Sequence, residues 1–262
     1  FISANDFSLY DHLLDTAVLL NIVPNRYQQL KLDALDEYFA MARGYQGEKG
    51  DVKALAMKKW FNTNYHYMVP EIEDDTEVSL VGIKPFNEYM EAKKLGIETK
   101  PAIIGAFTFL KLARFTGKKT IEDSLPDIIG GYSELLTKFN DLGAQWVQLD
   151  EPALVMDLSK EDLHRFDRLY NAILSEKGGT KVLLQTYFGD IRDCYNEVVN
   201  LPFDGIGLDF IEGKQTLKLL KKLGFPEDKI LFAGLVNGKN IWRNNYSTTV
   251  NSIKNLGQYC KN

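Results

Sequence analysis

Cysteine and histidine are scarce here: the 262 residues contain two cysteines and three histidines. Cys194 and Cys260 make no disulfide framework, and such sparse use fits a reducing, cytoplasmic compartment. His12, His66 and His164 have no second histidine or cysteine at ligand spacing, so no metal set is legible. No apolar run reaches the length of a membrane span, and the opening residues do not have the form of a signal peptide. Excess positive charge is also missing. The formal net charge of -5 argues against nucleic acid as a main partner. GxGxxG, P-loop and GxSxG patterns are lacking, which removes the usual sequence arguments for a dinucleotide, a nucleoside triphosphate or a serine nucleophile. The chain opens FISANDFSLYDH with no initiator methionine, so a fragment or a processed chain is expected.

What is present is an ordinary globular composition, 45% hydrophobic and 26% charged. From the middle onward one pattern recurs: a helical stretch ends near glycine, and a short apolar strand follows. In YSELLTKFNDLGAQWVQLDEP, residues Leu135, Leu136, Phe139 and Leu142 fall at helical spacing, and Gly143 stops the helix. The strands are continuously apolar, as expected when both faces are covered. Intervening helices imply parallel pairing with right-handed crossovers. The fold class is therefore α/β, as a TIM-type (β/α)₈ barrel or an open doubly wound sheet. Polar residues at many strand ends favour the barrel, which gathers them over one mouth. Six strands are expected, near Phe1–Ala4, Ala102–Ala106, Trp146–Leu149, Val182–Thr186, Gly205–Asp209 and Ile230–Leu235. A closed barrel needs eight. Residues 46–100 are irregular, and their acidic run EIEDDTE reads as a solvated hairpin or loop. No linker divides the chain, so 1–262 reads as a single domain.

The candidate mouth residues are Asn5, Asp6, Asn64, His66, Asp150, Glu151, Tyr187, Asp209 and Asn237. Asp150 and Glu151 are adjacent in WVQLDEPAL, so on a strand they face opposite ways and do not form a glycosidase-like pair. One carboxylate is expected over the mouth, either capping loop amides, pairing with a neighbouring base or touching a ligand. The segment KKWFNTNYHYMVPE is too aromatic for a plain loop. Trp60, Phe61, Tyr65 and Tyr67 can pack on the mouth, while Asn62, Asn64 and His66 satisfy backbone groups of the irregular chain. That leaves Lys58 and Lys59 as possible point charges for a carboxylate or phosphate. Arg114, Lys118 and Lys119 read as solvated. GLVNGKNIWRNN reads as a strand and an Asn-Gly turn, with Trp242 packed and Arg243 facing a neighbouring domain or a ligand.

The stretches SANDFSLYDHLLD, DEYFAMARG, KKWFNTNYHYMVPE, EAKKLGIETKPAIIGAFTFL, WVQLDEPAL, LLQTYFGD and GLVNGKNIWR, in this order, resemble the N-terminal barrel of cobalamin-independent methionine synthases. The resemblance implies two face-to-face barrels. It also implies methyl transfer from 5-methyltetrahydrofolate polyglutamate to homocysteine, the thiolate being activated by zinc in the C-terminal barrel. This chain resembles the half without zinc: where the catalytic half carries His-x-Cys, it has Thr186, Tyr187 and Phe188, and its next strand reads GLDF, where Asp209 does not replace the missing glutamate. The resemblance places the folate-tail contact on Lys59. No catalytic residue, metal or cofactor is expected in this chain. Its partners would be the C-terminal barrel and the folate polyglutamate, with no nucleic acid or membrane. The family's first strand, with its PRxG-type turn, and the last strand of this barrel have no counterpart in the sequence. Their absence accounts for the count of six and leaves two exposed sheet edges. The catalytic C-terminal barrel is absent too, so the chain alone is expected to be inactive, a scaffold and partial tail site. The rival readings are an independent single-barrel enzyme using Asp150, Glu151 and Asp209, and a structural module without ligand affinity.

Overall fold

The computed structural model describes residues 2–260. Six strands lie in one sheet in chain order: Ile2–Ala4, Thr99–Ile104, Trp146–Asp150, Lys181–Gln185, Gly205–Asp209 and Ile230–Gly234. Every pairing among them is parallel. A strictly sequential order is the winding of a (β/α)₈ barrel, because an open doubly wound sheet reverses its order. Six consecutive strands of such a barrel are present. The strands Ile2–Ala4 and Ile230–Gly234 each have one neighbour among the described residues.

All six expected strands form. Phe1, assigned to the first of them from sequence, lies outside the described residues. The second strand corrects the sequence reading. It runs Thr99–Ile104 rather than Ala102–Ala106, because Gly105 is already the N-cap of the helix Ala106–Leu112. The other boundaries agree to within one residue.

Side chains alternate across each strand. On Trp146–Asp150, Val147 and Leu149 are fully buried in the main core beneath the helices. Gln148 and Asp150 share the opposite face, toward the lumen, and are bonded to each other. The lumen is filled by side chains of neighbouring strands. A Cβ on Gly207 would lie 2.2 Å from Gln185 Oε1, so that strand carries glycine there.

The helix Ile121–Asp141 shows how the outer layer is specified. Thr120 and Asp123 form a capping box that satisfies its first amides. Leu125, Ile128, Tyr132, Leu135, Leu136 and Phe139 recur at three- and four-residue spacing and are fully buried. Each such side chain contributes roughly 1.5–3 kcal/mol of burial. Gly143, at φ +74°, follows the helix end where the sequence pattern put the stop.

Between the first two barrel strands the chain builds helices and short hairpins over a smaller core of Leu14, Val23, Tyr27, Tyr38, Met41, Leu55 and Met68. The acidic run here departs from the solvated loop read from sequence. Glu71 and Ile72 form a short strand parallel to Arg114–Phe115. Glu71 is buried and paired with Arg26 at 2.5 Å. Asp74 accepts the backbone N–H of Lys118 and Lys119 at 2.6 and 2.7 Å. The run therefore ties two loops together. Arg114 and Lys118 are exposed, as the solvated reading expected, but Lys119 is half-buried, donating to Thr76 O at 3.1 Å and pairing with Asp127 at 3.5 Å.

Candidate functional site at the barrel mouth

Asp150 ends the third barrel strand and points into the lumen. Gln148 Nε2 donates to its Oδ1 at 2.6 Å, and the Tyr187 hydroxyl donates to its Oδ2 at 3.3 Å. Lys100, from the neighbouring strand, donates to Gln148 Oε1. Burial raises the Asp150 carboxyl to about 6, against the opposing pull of Gln148, Tyr187 and Lys100. The same burial lowers Lys100, with Asp150 acting the other way.

Glu151 faces away from the mouth, as adjacency on a strand requires. It is completely buried against the helix Ala106–Leu112. It accepts from Phe107 N at 2.9 Å, from Thr108 N at 2.7 Å, from Thr108 Oγ1 at 2.5 Å and from the Tyr170 hydroxyl. Burial raises it to about 7 despite those donors. It caps buried amides at a helix start.

Asp209 caps the turn after its strand, accepting Ile211 N at 2.7 Å and Glu212 N at 2.9 Å. Asn237 accepts Lys239 N at 2.9 Å in a second turn of this kind. Asn5 bonds Ala102 O at 2.9 Å and accepts from Lys84 at 2.7 Å. Asp6 is exposed, with its charge near His12.

KKWFNTNYHYMVPE folds as an antiparallel hairpin, with Met57–Lys59 paired to His66–Met68. Thr63 closes its tip, through Trp60 O at 2.6 Å and Tyr65 N at 3.1 Å. Trp60 meets Phe61 and Tyr67 edge-on at 4.9 and 5.7 Å, and Phe61 lies 5.7 Å from the Phe188 ring. Two expectations fail here. Tyr65 is 78% exposed and does not pack on the mouth, because the tip turns it outward. The side chains of Asn64 and His66 are exposed and bond no backbone group among the described residues, since Thr63 already serves the tip. Asn62 instead donates to Glu212 Oε2 at 2.6 Å and accepts from Lys239 at 2.5 Å, and Lys239 pairs with Glu212 at 2.7 Å. Lys58 and Lys59 are exposed. Trp242, read as packed, is 81% exposed on its loop.

The structure thus groups Asp150 and Tyr187 in the lumen, with the Trp60–Phe61 tip and Phe188 above them. Asp209 and Asn237 shape the surrounding loops. Sequence reasoning missed Lys100, Gln148, Glu212 and Lys239. Period-two alternation would have put Gln148 beside Asp150. Nothing local marks Glu212 or Lys239. The mouth donors are a carboxylate, a phenol, amides and an ammonium, a set that does not fit zinc. Among the described residues, no three His, Cys, Asp or Glu side chains converge to hold a metal ion.

The sequence matches the profile of the cobalamin-independent synthase, N-terminal domain, over residues 1–261. The chain belongs to that family. A relative from Campylobacter jejuni subsp. doylei is 57% identical over 262 residues, which is 100% of this chain and 35% of the relative. One from Lactococcus lactis subsp. cremoris is 54% identical over 254 residues, 97% of this chain and 34% of the relative. Both are named 5-methyltetrahydropteroyltriglutamate–homocysteine methyltransferase. The chain therefore spans about a third of the length of these relatives. A solved B12-independent methionine synthase from a Shewanella species shares the fold, with a TM-score of 0.59 and 14% identity over 75% of this chain and 61% of that one. No helix of the described residues is long and apolar enough to cross a membrane.

Proposed function

We propose that this chain is the N-terminal, non-catalytic part of a methionine synthase. The complete protein would transfer a methyl group from 5-methyltetrahydropteroyltri-L-glutamate to L-homocysteine. The observation that carries this reading is the match over nearly all of the chain to the N-terminal domain family. The names of the relatives agree with it. The chemistry of the mouth supports the non-catalytic assignment. Its carboxylates serve neighbouring protein groups, with Asp150 bonded to Gln148 and Tyr187, Glu151 capping a helix and Asp209 a turn.

In this reading zinc belongs to another barrel of the same polypeptide, where it would keep the homocysteine sulfur deprotonated near neutral pH. The present chain scaffolds that barrel and contributes Lys59 to the folate tail. Successive tail carboxylates suit an ammonium on a fixed base. Lys59 is exposed at the end of its hairpin strand, and its side chain makes no ion pair among the described residues. In the full-length polypeptide, Lys59→Ala is expected to raise KM for the triglutamate substrate about five- to tenfold, one lost charge-assisted contact. Added salt should narrow the difference. Steady-state kinetics at two ionic strengths check this, and an unchanged KM removes Lys59 from the tail site.

A further inference from the structure

Two aromatic residues at the mouth hold backbone angles that aromatic side chains rarely adopt. φ is +48° at Phe61 and +74° at Phe188. The left-handed region costs a Cβ-bearing residue about 1–2 kcal/mol, and a bulky residue stays there only when its surroundings over-determine it. These two residues come from distant parts of the chain, yet their rings lie 5.7 Å apart. Phe188 is held further by Tyr187, edge-on at 4.7 Å, and by the Lys239 ammonium 4.7 Å from its ring centre. Beside the pair, Asn62 bridges Glu212 and Lys239, which bond each other.

Four segments thus converge on one point: the hairpin tip and the loops after the last three barrel strands. The hairpin itself does not need this. Its ladder is complete without it, and Trp60 N closes it on Tyr65 O at 2.7 Å. What the convergence adds is orientation. It fixes the tip, and with it the adjoining Lys59, against the rim of the barrel. The Glu212–Lys239 pair is partly exposed and contributes little alone. Its place in a network with Asn62 and two rings gives it a defined geometry.

We infer that Asn62, Glu212 and Lys239, with the Phe61–Phe188 contact, form a latch that positions Lys59 for the anionic tail of the substrate. This rests on the reading that Lys59 holds that tail. A latched hairpin presents its lysine already ordered, so binding does not bear the loss of freedom of a swinging hairpin. The latch residues act through Lys59 and need not touch the substrate.

The test uses the full-length polypeptide and its KM and kcat for the triglutamate substrate. Asn62→Ala, which changes no charge, and Glu212→Gln are each expected to raise KM about three- to tenfold, more than they change kcat. Neither should add more than about twofold on top of Lys59→Ala, because an unpositioned contact is already lost. Lys239→Arg, which keeps the cation, should raise KM less than Lys239→Ala. Glu212→Gln provides the measurement if Asn62→Ala does not fold. If Lys59→Ala raises KM but neither Asn62→Ala nor Glu212→Gln does, the latch is wrong and the tail site stands. Fully additive effects also overturn the latch. So does a lower KM in Glu212→Gln, which would mean that the freed Lys239 charge matters and the seat does not. If Lys59→Ala leaves KM unchanged, the tail reading falls, and this inference with it.

Discussion

Glu151 is the residue on which the pH response of the fold turns. Burial raises its carboxyl from 4.5 to about 7 in the folded chain. The folded state therefore keeps a proton that the unfolded chain releases. That contribution is complete below about pH 4.5 and is lost as pH rises through about 7, with roughly 3 kcal/mol as its upper bound. Asp150 and Asp11, each raised to about 6 by burial, act in the same direction, while His12, lowered from 6.5 by burial, opposes them as one group against three. Urea unfolding is thus expected to show higher stability at pH 5 than at pH 8. Glu151→Gln should flatten that slope while lowering stability overall. A wild-type slope of the opposite sign contradicts the assignment. The same carboxylate explains Gly105, where an added Cβ would sit 2.2 Å from Glu151 Oε1. Because donors hold that oxygen in place, Gly105→Ala should cost about 1–3 kcal/mol in the same measurement. At this scale the opposed faces of Asp150 and Glu151 were legible, since strand alternation demands them. The partners of each were not, because Thr108, Tyr170, Lys100 and Tyr187 are brought in by packing.

At the scale of the element, long and strongly patterned segments were readable. Ile121–Asp141 declared itself by its apolar spacing and its glycine stop, and the barrel strands by unbroken apolar runs. Its cap is a local device, so Thr120→Ala should destabilise the fold by about 1 kcal/mol, seen as a lower thermal midpoint. A midpoint unchanged within error would mean that packing alone fixes the helix start. The insertion before Thr99 was not readable. Its strands are two or three residues long, too short to show a period. Their positions depend on distant anchors such as Arg26 for Glu71 and Asp74 for the turn at Lys118. The hairpin tip followed the same rule: its aromatic content marked it, but its tie to Glu212 and Lys239 is invisible in the sequence.

At the scale of the molecule, the winding was legible from repeated helix–strand units, and the six strands formed as counted. The sheet has two outer strands, and the C-terminal segment exposes Val236, Ile241, Trp242 and Tyr246. Unpaired edges and apolar patches of this kind associate. The isolated 262-residue chain should therefore show a mass that rises with concentration in sedimentation equilibrium, and a strictly monomeric profile would contradict that expectation. The central claim is that this chain scaffolds and binds while the chemistry is completed elsewhere in a longer polypeptide. Its most direct test is methionine formation from 5-methyltetrahydropteroyltriglutamate and homocysteine, with zinc supplied, by the 262-residue chain beside the full-length protein. The account predicts turnover by the full-length protein and none by the chain alone. Comparable turnover by the chain alone would contradict it.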